Sequence, residues 1–256
     1  MASDRARQAA GLLTALANPL MSWLPQLTGT GRTIAEQSDR NPVLLVPWGP
    51  AFSIWGVIFA GVIAFAVLQA LPANRERAVF RASGWWVAAA SGTSALWALA
   101  ASYAPESVSG WLTAALFVPL AIAAARGMVA LTAHRADLST VEIWLAWAGP
   151  SLFAGWVGLA AWINAAQVLQ YEIGLPPLGV ALAMLACALA WLVWNLSRAA
   201  GNAAFAFAGI WGLGFLAYDR LAVEPGAPLV GYAAIGGAAL LVGAALAFRG
   251  RAQPRP

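Results

Sequence analysis

Eight apolar runs dominate the chain, at approximately 8–25, 47–70, 83–103, 109–132, 141–168, 177–197, 203–221 and 229–248. Each reaches the roughly 18 to 20 residues that a helix needs to cross the hydrocarbon core of a bilayer. In lipid every backbone N–H and C=O must be satisfied within its own segment, so runs of this kind fold as helices. The composition agrees, with 61% of residues hydrophobic and 9% charged, against roughly 45–50% and 25% in an ordinary soluble domain. The mean hydropathy of +0.73 is spread along the chain rather than concentrated in one anchor. These features exclude a cytosolic globule and predict an all-α integral membrane protein with about eight transmembrane helices.

The same composition removes several chemistries. All 14 basic residues are arginine, so no lysine is present to form a Schiff base or to grip a phosphate in a Walker loop. One histidine, His134, and one cysteine, Cys187, cannot make a bis-histidine haem site, a structural zinc site or an internal disulfide. The ten acids fall in loops or at span ends, which argues against ion-coupled transport, since that requires buried carboxylates. The arginines are scattered singly, without the basic stripe of a nucleic-acid binder. No Ser, His and Asp grouping suggests hydrolysis, so the chain reads as non-enzymatic, with no obligatory cofactor and no metal. Function must then rest on aromatic, amide and hydroxyl groups.

Placing the N-terminus in the cytoplasm leaves only Arg32, Arg40 and Arg220 outside and the other eleven arginines inside. That is the bias expected of cytoplasmic loops, and it predicts cytoplasmic termini in a bacterial inner membrane. The arginine-only, alanine-rich usage points to a high-GC bacterial source. One long connection, Gln26 to Val46, is polar and then proline-rich, as an outer lid or re-entrant loop would be. The other connections are short, so residues 1–256 form one transmembrane domain of antiparallel neighbours. The first run carries Asn18 and Pro19 mid-span and reads as a retained span rather than a cleaved signal.

Two aromatic patterns stand out. In the first, Pro47, Trp48, Gly49 and Pro50 open a span, with Pro50 suited to a first turn where its missing N–H costs nothing. Phe52, Trp55 and Phe59 follow at i, i+3 and i+7 and share a face. In the second, Trp156, Ala160 and Asn164 form one line of the fifth span, with Gln167 nearby. Bland readings compete with a pocket. Trp23, Trp85, Trp86, Trp111, Trp144, Trp191 and Trp194 sit near span ends, as in an interfacial belt. Trp55, Trp97, Trp156, Trp162 and Trp211 lie deeper, where packing alone would explain them. Asn164, Gln167 and Asn195 could bridge helices. His134 reads as solvent-facing, and Cys187 as a small apolar filler. The pairs Ala233/Gly237 and Ala239/Gly243 suit close helix packing within the chain or between chains.

On these residues the chain resembles the tryptophan-rich sensory proteins, the TspO/MBR or translocator protein family, in its longer bacterial and plant branch. The resemblance runs from about Leu12 to Leu213. It rests on Leu16-Ala17-Asn18, Ser38-Asp39-Arg40, Pro47 to Phe59, Gln69-Ala70-Leu71-Pro72, Gly155, Trp156 and Asn164, and Gly209-Ile210-Trp211. It implies five packed helices around a pocket, with the preceding loop as a lid. The core would be spans two to six, about 47–197, with one N-terminal and two C-terminal helices around it. It also implies porphyrin binding, a tetrapyrrole being the foremost ligand, and a sensor or facilitator role. The implied ligand-binding residues are Trp48, Phe52, Trp55, Phe59, Trp97, Trp156 and Asn164. Phe59 stands where a tyrosine is usual, and the third core region is thinned to Thr93, Ser94 and Trp97. Expected partners are the lipid bilayer, an apolar planar ligand, and a second copy or a larger membrane complex, with no nucleic acid. The alternative is an accessory structural subunit of a larger, pigment-bearing complex.

Overall fold

The computed structural model describes residues 2–249, apart from the side chains of Ala2, Ala35, Ser38 and Asp39. The Ser38 and Asp39 side chains of the family pattern, and Arg251 and Arg255 of the charge count, therefore lie outside the described residues. In chain order the helices are α1 (Ala2–Thr28), α2 (Ile34–Arg40), α3 (Ile54–Ala70), α4 (Ala78–Tyr103) and α5 (Glu106–Ala133). A short α6 (Thr140–Glu142) runs through a π turn, Ile143–Trp147, into α7 (Ala148–Gln167) and a second π turn, Val168–Glu172. Then come α8 (Pro177–Arg198), α9 (Ala203–Tyr218) with its π turn Asp219–Val223, and α10 (Pro228–Phe248). Eight long helices thus stand where the eight apolar runs lie.

Among the described residues, five segments are long and apolar enough to cross a membrane by length and composition: Gly49–Ala70, Glu106–Ala133, Thr140–Glu172, Pro177–Arg198 and Pro228–Phe248. The multi-pass character of the protein rests on them. α1 is too polar on average to join that set, yet its two faces tell the same story. Asp4, Arg7, Gln8, Asn18 and Ser22 are buried, while Leu13 is 70% and Leu27 67% exposed, with Leu16, Leu20 and Trp23 also outward. A soluble amphipathic helix does the reverse. An inverted helix of this kind is stable when lipid, not water, covers its leucines.

At its N-terminal end the buried polar face of α1 bonds to α3, to α4 and to the turn between them, while the Asn18 amide farther along makes no side-chain hydrogen bond. Arg7 donates to Gln69 Oε1 at 2.9 Å and to the Arg75 carbonyl at 2.7 Å. Asp4 accepts from Arg81 Nη2 at 2.7 Å, and Gln8 Nε2 donates to the Gln69 carbonyl at 2.7 Å. A buried guanidinium left without such partners would cost several kcal/mol, so this network pins α1 in place.

Contacts close a ring: α1 packs on α3 and α4, α4 on α5, α5 on α7, and α7 on α3. This corrects the expected core of spans two to six. The first span is a wall of the ring, and the sixth, α8, lies outside it against α7 and α10. The reason lies in α7, whose glycines let backbones approach on several sides. A methyl group built on Gly149 would fall 2.4 Å from the Gly61 carbonyl carbon of α3, and one on Gly155 would fall 2.3 Å from the Phe205 carbonyl oxygen of α9. Gly158 receives the Trp191 ring of α8. α7 is therefore both a wall of the ring and the seat of α8 and α9, on which α10 packs in turn.

Candidate functional site: an aromatic pocket and an outer chamber

The ring encloses an inner pocket on its lid side. Trp55 of α3, Trp97 of α4, Phe117 of α5 and the Trp156, Ala160 and Asn164 line of α7 form its walls. Ile34 and Gln37 of α2 roof it, with Val46 and Pro47 from the end of the long loop. The rings are packed edge to face: Trp156 meets Phe52 at 5.7 Å and Trp55 at 6.3 Å between centroids, and Trp97 meets Phe117 at 5.2 Å. Aromatic rings favour such T-shaped contacts because the positive edge of one faces the negative face of another.

The polar groups of the pocket are few. Trp97 Nε1 donates to Asn164 Oδ1 at 3.4 Å, from α4 to α7, and Asn164 Nδ2 donates to the Ala160 carbonyl at 3.1 Å. Asn164 is thus a pocket group and a cross-cavity bridge at once. Gln167 also lines the pocket, and its amide donates to the Asn41 carbonyl of the lid at 3.1 Å. Asn195, the third amide read as a helix bridge, donates to Trp191 of its own helix instead. Thr113 adds a hydroxyl to the lining, donated to the Ser109 carbonyl.

The lid is hydrogen-bonded within itself and to the bundle. The span from Gln26 to Val46 contains α2, started by a capping box in which Thr33 N–H donates to Glu36 Oε2 at 2.8 Å and Glu36 N–H donates to Thr33 Oγ1 at 3.1 Å. The backbone N–H and hydroxyl of Thr33 hold the Glu36 carboxyl below its ordinary pKa. Arg32 Nη2 donates to the Ala104 carbonyl at 2.7 Å, Tyr171 donates its hydroxyl to the Pro42 carbonyl at 2.7 Å, and Arg40 pairs with Glu106. The Thr-x-x-Glu signature of this cap stands in the sequence at Thr33 and Glu36, inside a segment whose charges and prolines otherwise read as loop.

Beside the inner pocket lies a larger chamber of about 560 Å³, whereas the inner pocket itself holds about 70 Å³. Phe52 and Trp55, with Ile34, Val46 and Pro47, form the partition, since all five line both spaces. The chamber is bounded by Ser22, Trp23 and Gln26 of α1, by Trp48 and Phe59, and by Asp219, Arg220 and Glu224 after α9. The seven expected ligand residues are thereby divided. Phe52, Trp55, Trp97, Trp156 and Asn164 meet at the inner pocket, while Trp48 and Phe59 face only the chamber. Trp48 is drawn away by Tyr218, at 5.0 Å between centroids, and Phe59 stacks on Trp55.

The match with known families decides what this arrangement is. The family model described as TSPO-like protein matches residues 8–247, nearly the whole chain. The chain belongs to the TSPO-like family. Neither a curated protein nor a solved structure matches it. As a TSPO-like protein it is a multi-pass membrane protein whose matched region takes in α1 and most of α10 as well as the ring. Of the outlying tryptophans, Trp23, Trp85, Trp86, Trp111, Trp144 and Trp194 are exposed, and Trp23 also lines the chamber. Trp191 differs, because Gly158 leaves room for its ring against α7. Of the deeper set, Trp211 donates from Nε1 to the Ala51 carbonyl at 2.9 Å and holds the opening turn of α3 in place. Trp147, which carries no pocket pattern, donates to Thr132 Oγ1 at 3.2 Å. His134 pairs with Asp137 at 3.0 Å, and Cys187 lies on α8, away from the pocket.

Proposed function

We propose that this TSPO-like protein is a non-enzymatic membrane receptor of the sensor type, binding an apolar planar ligand in the inner pocket, with a tetrapyrrole as the foremost class. The observation that carries the reading is the convergence of Trp55, Trp97 and Trp156 with two amides, Asn164 and Gln167, beneath a hydrogen-bonded lid. Broad aromatic faces suit a flat π-system, and a few fixed amides suit its polar edge. The lining has no nucleophile and base pair, which favours binding over catalysis. It has no histidine or cysteine either, so a metal in the macrocycle would have no axial ligand of those kinds from the protein. Ligand pockets for drug-sized molecules are roughly 300–1,000 Å³, so the inner pocket of about 70 Å³ would have to widen to admit a macrocycle.

The test is titration of the purified protein with a metal-free porphyrin, followed by tryptophan emission. Quenching should saturate, and Trp55→Leu with Trp156→Leu should remove most of the saturable component. Saturable quenching that survives in the double variant would place the ligand elsewhere. The accessory-subunit alternative draws on α10, where Gly236 and Gly243 face open space, as helix-packing positions do. Copurification of stoichiometric subunits in mild detergent would favour it.

A further inference from the structure

The outer chamber has a chemistry of its own. Its volume of about 560 Å³ is in the range that takes a small organic ligand. Trp23, Trp48, Phe52, Trp55 and Phe59 give it aromatic walls, and at one end stand Asp219, Arg220 and Glu224. Asp219 is buried and engages Arg220 in a direct ion pair, so those two charges cancel. Glu224 makes only a long contact to Arg220, 3.8 Å, and its side chain is 73% exposed. Two carboxylates against one guanidinium leave one negative charge on the wall. The backbone that carries Glu224 is held by the turn, because Glu224 N–H donates to the Asp219 carbonyl at 2.7 Å.

We propose that this chamber is a second binding site, for an apolar molecule that carries an ammonium group. Aromatic faces attract a cation through the ring quadrupole, and Glu224 supplies the counter-charge beside them. A carboxylate or phosphate head would meet Glu224 as a like charge and find Arg220 Nη2 already paired with Asp219, with the unpartnered Arg220 Nε buried away from the surface. The apolar body lies along Trp48 and Phe59, and Ser22 and Gln26 of α1 add polar groups to the lining. The ammonium can arrive on a dissolved amphiphile or on a lipid headgroup.

The site is tested with the full chain in maltoside micelles and three probes of equal chain length: dodecyltrimethylammonium, dodecanol and dodecanoate. The reading is the probe concentration that gives half the maximal rise in unfolding temperature, compared between the natural protein and Glu224→Gln so that partition into micelles cancels. The ammonium midpoint should rise about fivefold in the variant, the size of an exposed ion pair, while that of dodecanol stays the same. Phe59→Ala should weaken the ammonium and the alcohol alike. Equal ammonium midpoints in the natural protein and Glu224→Gln, a dodecanoate preference over dodecanol, or indifference to Phe59→Ala would each overturn the proposal. Nanodiscs of phosphatidylethanolamine or phosphatidylglycerol, analysed by mass of the released protein, separate the sources. Ethanolamine lipid retained by the natural protein and lost from Glu224→Gln assigns the bilayer, and an ammonium response without it assigns a dissolved amphiphile. Porphyrin quenching should be unchanged in Glu224→Gln, so this site and the inner pocket fail or stand separately.

Discussion

At the residue scale the amide of Asn164 has two jobs. Its oxygen takes the Trp97 indole N–H across the cavity and its nitrogen binds its own helix. At 3.4 Å the cross-cavity bond is long and contributes less than a well-formed one. Asn164→Leu should therefore lower stability by no more than about 1 kcal/mol, the scale of an intramembrane hydrogen bond. If the oxygen also meets the polar edge of the ligand, porphyrin affinity falls about tenfold, for an interaction of about 1.4 kcal/mol. Measuring both on one detergent-purified variant separates the roles, and a stability loss with unchanged affinity would leave Asn164 a bridge only. The Trp156, Ala160 and Asn164 line was legible because helical periodicity alone puts these residues on one face. The separation of Trp48 and Phe59 from it was not. Which cavity a residue of α3 faces depends on where α1 and the end of α9 stand, and no spacing within the motif encodes that.

At the element scale the lid helix α2 depends on one carboxylate. Glu36 accepts from the Thr33 backbone N–H and hydroxyl, and these bonds favour its charged form and lower its pKa. A group with a lowered folded-state pKa stabilises fully above its ordinary value, about 4.3 for glutamate, and loses that stabilisation as pH falls through the lowered value. Hydrogen exchange of the α2 amides should accordingly quicken in acid. In Glu36→Gln, with no carboxyl to titrate, that pH-dependent part should vanish; an unchanged acid response would assign it to the exposed Arg40 and Glu106 pair instead. α1 shows the limit of hydropathy at the same scale. Its average is low because Asp4, Arg7, Gln8, Asn18 and Ser22 share one face, and a window average cannot distinguish a polar face turned into the protein from one turned to water. Only the partners, Gln69, Arg75 and Arg81, reveal which it is.

At the scale of the whole molecule, charge sorts to two ends. Asp4, Arg7, Arg75 and Arg81 meet at one, with Arg77 bonded to Glu142 and to the Asp137 carbonyl. Arg32, Arg40 and Glu106 gather with the lid at the other. These groupings join loops that the arginine count assigns to the same side, so the alternation of the chain was legible from charge. Membership of the five-helix ring was not, because it follows from where α7 keeps glycine. The ring and the charge ends leave one quantity for experiment, the direction in which the molecule sits. We propose that the arginine-rich loops face the cytoplasm, with the lid outside. In a Cys187→Ala background, Thr30→Cys, next to the lid, should react with an impermeant thiol reagent in intact cells. Ala136→Cys, in the exposed turn with Arg135 and Asp137, should react only after the membrane is opened. The reverse pattern would turn the lid and both cavities toward the cytoplasm, and the ligands that reach them would then be those of the cell interior.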